Sequence, residues 1–501
     1  VSDLSPTPDQ PDRAATEARV LALVAQMSLE EKLSQIVGFW EKDDGEAVAP
    51  LQGEFDQVRG LDEASKHGLG HLTRVYGTRP VDPAQRAQWL WELQRRLVRD
   101  TRLGIPALVH EECLTGLSAW QAATFPAPPS WGASFHPELV EEMAASIGRS
   151  MRQLGIHQGL APVLDVVRDP RWGRVEECIS EDPYVVGTIG TAYVRGLQGA
   201  GVHATLKHFV GYSASQAGRN FAPVHAGPRE LADVLLVPFE MALLDGGARS
   251  VMHSYAEIDG VPVAADADLL TGLLREKWGF DGTLVADYYG VAFLHLLHSV
   301  ARDLGDAAGQ ALAAGVDIEL PTGDAYLAPL AAAVRDGAVD EALVDRAVAR
   351  ALRQKAELGL LDATFDDEPP TEVDLDDLEH RVLAARLADE SVVLLSNQGV
   401  LPLARPRRVA VIGPNADRAE ALFGCYSFVN HVIPNHPGTA QGIVAPSVRE
   451  ALAAELDGSE VVFAQGCGVE DLDTSGFAEA RELAESAEVA IVVVGDQAGL
   501  F

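Results

Sequence analysis

The run Gly282-Thr-Leu-Val-Ala-Asp-Tyr-Tyr is apolar until it reaches Asp287. A carboxylate at the end of a buried strand is costly unless it is paired or used chemically. Used, it could attack an electrophilic carbon and carry a covalent ester. Other reactive side chains end other β-rich runs: Glu111 and Glu112, Lys207 and His208, Tyr255, and Glu319. The loop after the third run adds Asp165, Arg168, Asp169, Arg171 and Arg174. Any one of these reads as a salt bridge or a loop cap. Their recurrence at successive strand ends points instead to one shared site. There, Lys207-His208 could bind hydroxyls and hold a carboxylate ionised, with Arg174 doing the same from the neighbouring loop. Glu112 could accept two hydroxyl hydrogen bonds.

Such residues need a scaffold that aims strand ends at one mouth. A helical pattern covers residues 17–37, its second half opened by the capping-box sequence Ser28-Leu-Glu-Glu. Another covers 83–100. After that, β-rich runs at 69–76, 105–111, 156–164, 204–209, 250–255, 283–287 and 316–320 alternate with helical patterns at 137–154, 185–199, 228–245 and 265–278. This alternation predicts an α/β protein with a parallel sheet. Seven or eight such units favour a closed (β/α)8 barrel over an open sheet, and place the chemistry at the C-terminal strand ends. The expected division is a catalytic barrel over 1–361, a linker over 362–385, and the start of an α/β sandwich domain over 386–501. The linker is rich in Asp and Glu and holds Pro369-Pro370. The sandwich begins with Arg408-Val-Ala-Val-Ile-Gly-Pro, with further strands at 461–464 and 489–494.

Composition narrows the partners. The 501 residues include 39 Lys and Arg against 74 Asp and Glu, a formal net charge of −35. Such a surface repels phosphate backbones and anionic lipids, so neither nucleic acid nor membrane is expected as a partner. Nor is there an apolar run of about 18 residues. Cys113, Cys178, Cys425 and Cys467 are far apart and form no Cys-x-x-Cys pair, which argues against a zinc cluster or a disulfide scaffold. Residues 1–15 lack the basic-then-apolar order of a signal peptide. A cytoplasmic location is expected, with secretion after removal of a leader left open.

Several stretches, in order and at matching spacing, resemble glycoside hydrolase family 3. They are Met27-Ser-Leu-Glu-Glu-Lys, Leu103-Gly-Ile-Pro-Ala-Leu-Val-His-Glu-Glu-Cys-Leu-Thr-Gly and Ala161-Pro-Val-Leu-Asp-Val-Val-Arg-Asp-Pro-Arg-Trp-Gly-Arg. Lys207-His-Phe-Val-Gly-Tyr, Ser250-Val-Met-His-Ser-Tyr-Ala-Glu-Ile-Asp-Gly and Leu284-Val-Ala-Asp-Tyr-Tyr follow. The resemblance implies a retaining, exo-acting β-glycosidase with Asp287 as nucleophile and no cofactor or metal. It implies that Glu112, Arg174, Lys207, His208 and Tyr255 line the subsite for the terminal sugar. The implied partner is a small oligosaccharide or an aryl or alkyl β-glycoside; a homodimer is left open. Two departures matter. Where the N-acetylglucosaminidase branch has Asp-Ser-His, this chain has Ser213-Ala-Ser-Gln-Ala-Gly, which disfavours that branch. In the glucosidase and xylosidase branches the acid/base is a Glu in the loop after a strand like Ile491-Val-Val-Val-Gly-Asp-Gln-Ala-Gly-Leu-Phe; it is expected beyond Phe501.

Glu112 stands where glucosidases of the family carry Asp, and Tyr288 where many carry Trp. The longer carboxylate occupies space that a hydroxymethyl group would need, so β-D-xylose is placed ahead of β-D-glucose, with overlap expected. The alternatives are a β-glucosidase with little xylosidase activity, a glycoside phosphorylase, a catalytically weak sugar-binding protein, and a metal-dependent barrel hydrolase built on His110, His208 and His253 with Asp287 completing the site.

Overall fold

Residues 13–41 and 60–497 are described by the structure, a computed structural model. Most of the N-terminal stretch considered for a leader, and the last residues of the expected acid/base strand motif, lie outside the described residues. Seven short strands form one sheet in chain order: β1 (Gly38–Trp40), β2 (His71–Thr73), β3 (Leu108–Glu111), β4 (Gln158–Gly159), β5 (His203–Phe209), β6 (Ser250–His253) and β7 (Thr283–Ala286). Every pairing between neighbours is parallel. All of their residues are buried, as expected when helices cover one face and a packed interior the other.

The ring is closed by residues 317–319. Ala286 donates its N–H to Ile318 O at 2.8 Å, Glu319 donates to Ile36 O at 3.0 Å, and Gly38 donates to Glu319 O at 3.0 Å. This eighth stave makes the sheet a (β/α)8 barrel, as the sequence predicts. Two expectations need correction. The sequence pattern shows no strand at β1, whose three residues are too few to reveal a period. The helix expected over 17–37 is two helices, Arg13–Val24 and Leu29–Gln35. Ser28 accepts from the Glu31 amide while Glu31 reaches back to the Ser28 amide, so the capping box starts a new helix.

Beyond the barrel, the acidic segment carries Phe365 and Leu375 into the barrel's apolar cluster. The helix Leu378–Glu390 adds Leu383 and Leu387 to the same cluster. A second, smaller parallel sheet follows, ordered Glu460–Ala464, Arg408–Ile412, Val489–Val492. Its central strand buries Val409 and Val411.

At the base of the barrel, helix Glu341–Glu357 inserts Lys355. Its Nζ donates to Gln35 Oε1 at 2.7 Å, Leu69 O at 3.0 Å and Pro106 O at 2.7 Å. Burial pulls its pKa down to about 7, but three acceptors match the three hydrogens of an ammonium. Lys355→Met leaves those oxygens buried and unpaired. It is expected to lose roughly 3 kcal/mol of stability in urea denaturation; a loss under about 1 kcal/mol would contradict this role.

Candidate active site

The mouth of the barrel gathers charges that would be costly anywhere else in the interior. In a regular strand, Lys207 and His208 would face opposite sides. Here the pairing of β5 with β6 shifts between Leu206 and Phe209, and such an irregularity re-aims side chains. Lys207 donates to Glu112 Oε2 at 2.9 Å, and His208 engages Asp165 and Arg174. Lys207 and His208 are each 1% exposed.

Arg174 is held as firmly. It grips Glu177 through two bonds, Nε to Oε1 at 2.6 Å and Nη2 to Oε2 at 2.8 Å. The same Nη2 lies 3.1 Å from His208 Nε2. A guanidinium only donates, so Nε2 must accept and the imidazole proton sits on Nδ1. That proton goes to Asp165 Oδ2, 2.8 Å away. Burial and the neighbouring Arg174 and Lys207 charges push the His208 pKa well below its usual value. Burial raises Asp165 to about 7, opposed by the His208 amide and Arg174.

Asp287 follows β7. Its Oδ1 accepts the Tyr288 amide at 2.8 Å. Its Oδ2 is buried without a protein hydrogen-bond partner and lies 3.9 Å from His208 Nε2. Burial raises its pKa to about 6, while Arg174, Lys207, the Tyr288 amide and the Tyr255 hydroxyl oppose that rise. The Tyr255 proton itself is committed to Tyr288 O at 2.7 Å. Thus Asp287, Glu112, Arg174, Lys207, His208 and Tyr255, drawn from distant parts of the chain, meet at one mouth.

Other strand-end candidates do different work. Glu319 accepts the Ala325 and Tyr326 amides, with contacts of 2.9, 3.1 and 2.6 Å, and so caps its own loop. Glu111 accepts the Tyr76 amide at 2.6 Å, and burial pushes its pKa to about 8. Arg168 pairs with Glu230, and Asp169 with Arg171, at the outer edge. The histidines considered for a metal turn to separate partners: His110 to His71 and Tyr288, His208 to Asp165 and Arg174, His253 to Ser254 O. Among the described residues, no group of three or more His, Cys, Asp or Glu is arranged to hold a metal ion. Nor is any helix there long and apolar enough to cross a membrane.

Sequence reasoning missed two contributors. Glu177 was legible only as one of two carboxylates shortly after Arg174. Tyr426 gave no signal, since it arrives from the second domain. Its ring centroid lies 4.6 Å from Lys207 Nζ and 5.7 Å from Arg174 Cζ. Cys425 N donates to Glu176 Oε1 at 2.8 Å and anchors that segment to the barrel.

The chain thus joins a (β/α)8 barrel, with buried, paired carboxylates and cations at the C-terminal mouth where barrel enzymes hold their active sites, to a second α/β domain. Residues 28–354 match the glycosyl hydrolase family 3 N-terminal domain and residues 392–499 the family's C-terminal domain, so the chain belongs to glycosyl hydrolase family 3. A beta-xylosidase of Formosa agariphila is 34% identical over 430 residues, covering 81% of this chain and 58% of that protein. A beta-glucosidase of Rhizobium radiobacter is 35% identical over 338 residues, covering 64% of this chain and 38% of that protein. The structure of a β-glucosidase from Erythrobacter marinus superposes with a TM-score of 0.83 at 35% identity, over 96% of this chain and 65% of that one. For the beta-glucosidase of Listeria innocua the TM-score is 0.81 at 29% identity, with the same coverages. The chain therefore spans roughly half the length of the curated relatives it matches.

The hydrogen-bond order at His208 is directly measurable. Its imidazole is expected to be neutral at pH 6, with the proton on Nδ1, by nitrogen-15 NMR. A proton on Nε2 would contradict the order Arg174 to His208 to Asp165.

Proposed function

We propose that the protein is a retaining, exo-acting β-glycosidase that releases a terminal β-D-xylose or β-D-glucose through a covalent glycosyl-enzyme on Asp287. The observation that carries this reading is the second oxygen of Asp287: buried, without a protein partner, and influenced by two cations. Glu319 has both oxygens satisfied; Glu111 also keeps one buried oxygen without a partner, but the cation acting on it is Arg74, whereas Arg174 and Lys207 both act on Asp287. Attack by Oδ2 on the anomeric carbon forms an ester and breaks the bond to the aglycone oxygen. A carboxylic acid protonates that leaving oxygen, and water later cleaves the ester to restore the carboxylate. Asp165, Glu112 and Glu177 are committed to His208, Lys207 and Arg174. The proton donor is therefore expected outside this set, and the family resemblance implies a Glu of the second domain, beyond Phe501.

Glu112, Lys207, Arg174 and His208 are proposed to bind the hydroxyls of the terminal sugar. One carboxylate oxygen of Glu112 is held by Lys207, which leaves the other for the substrate. The relatives include proteins named for xylose and for glucose, and the Listeria innocua protein is also described in complex with glucose. Xylose is placed ahead because the longer side chain of Glu112 takes up the room beside C5. The selectivity from one such group is about 1–3 kcal/mol, so both sugars are expected to react.

Hydrolysis of aryl β-D-xyloside and aryl β-D-glucoside by the full-length protein tests the reading. Asp287→Asn is expected to lower kcat on the order of a thousandfold or more. If the variant keeps most of the activity, the nucleophile is elsewhere; if neither sugar is cleaved, the sugar-binding alternative comes forward. The acid limb follows from the same group. Asp287 attacks as the carboxylate, so kcat/KM is expected to fall as pH drops through about 6. A profile flat down to pH 4 would contradict it.

A further inference from the structure

Tyr288 holds Asp287 with its backbone and reaches across the barrel to His110 with its side chain. Its amide holds Asp287 Oδ1 and its carbonyl accepts the Tyr255 hydroxyl. The side chain leaves the end of β7 and reaches β3, where its hydroxyl lies 3.2 Å from His110 Nε2. Strands β3 and β7 are not neighbours in the sheet, so the ring crosses the barrel interior. Trp40, at the end of β1, packs against it with centroids 5.6 Å apart. His110 is backed in turn by His71 of β2, their Nδ1 atoms 3.4 Å apart. Tyr288, His110 and His71 are all buried.

Glu112 follows His110 by two residues, immediately past the end of β3. The tethered ring thus runs from the residue that follows Asp287 to the residue two before Glu112, the two carboxylates proposed to serve the sugar. Burial raises the Tyr288 pKa well above its usual value, opposed by the Arg74 charge and reinforced by Glu112, Glu111 and Asp287, so the hydroxyl keeps its proton. Burial keeps both histidines neutral, pushing His110 to about 3 and His71 well below its usual value. The tether thus persists across the pH range in which a glycosidase works.

Resting on the glycosidase reading, we propose that His110, backed by His71, is a positioning residue that pins Tyr288 across the floor of the sugar pocket. The pinned ring and Glu112 together leave room for a pentopyranose and exclude the hydroxymethyl group of a hexopyranose. Selectivity is then set by a hydrogen bond on the far side of the ring from the substrate. Loosening that bond deepens the pocket without removing any group that touches the reacting atoms.

The test uses the full-length protein with Tyr288→Phe, His110→Leu, the double variant and His110→Gln. Two ratios are read: kcat/KM for aryl β-D-xyloside against aryl β-D-glucoside, and calorimetric Kd for D-xylose against D-glucose. Each single loss of the tether is expected to move both ratios toward glucose by up to roughly tenfold, mainly through a lower KM for the glucoside. The double variant should move them no further than either single, because both remove one bond. His110→Gln, which retains a hydrogen-bonding side chain, should recover part of the selectivity. Tyr288→Phe keeps the ring volume, so it remains informative if His110→Leu folds poorly. Unmoved ratios in hydrolysis and binding, or fully additive shifts, would overturn the proposal. If the wild type cleaves neither sugar while the binding ratio shifts as described, the glycosidase reading fails and the pocket inference stands.

Discussion

Two buried cations, Arg174 and Lys207, decide how the barrel mouth is built. Neither can lie in the interior without a partner, because removing one member of a buried pair typically costs about 3–5 kcal/mol. Lys207 therefore draws in Glu112, and Arg174 draws in Glu177 with both arms of its guanidinium. Arg174 also fixes the face of His208, which passes the constraint to Asp165. Each pairing leaves the next group fewer choices. Asp287 is the remainder: it has a single backbone donor on one oxygen, and the field of both cations acts on it. Fixed charges of this kind need no rearrangement when charge develops in a reaction.

The same charges tie the second domain to the first. Tyr426 places its ring beside both cations, and its neighbour Cys425 bonds to Glu176 through the backbone. A few residues on, His431 stacks on Tyr426 and meets Arg74 Nη1 at 3.0 Å. The segment thus touches the barrel at several strand ends. Sites at domain junctions are common because each domain supplies groups the other cannot. Here the barrel supplies the buried charges and the second domain supplies an aromatic cover.

The strand-end chemistry was legible in the sequence because a charged residue closing an apolar run is a local signal. Asp287 after Thr-Leu-Val-Ala and Lys207-His208 after Ala-Thr-Leu are examples. The closed barrel was legible from alternation, although β1, at three residues, was too short to be seen. Position alone could not separate Glu319 from Asp287, since both end buried strands. What separates them is that the loop after Glu319 turns back to donate the Ala325 and Tyr326 amides to both of its oxygens, whereas Asp287 receives the adjacent Tyr288 amide on one oxygen. Tyr426 was invisible for a different reason. Its contacts lie more than 200 residues away in the chain, and no local pattern encodes a partner at that distance.

The mechanism proposed for the site turns on Asp287 becoming covalently attached to the sugar. Trapping the full-length protein with an activated 2-deoxy-2-fluoro-β-xyloside, followed by digestion and peptide mass spectrometry, reads this attachment directly. One fluoroxylosyl group per chain is expected, on the peptide containing Asp287. A label on any other residue would contradict that role, as would full turnover of ordinary substrate with no covalent species formed.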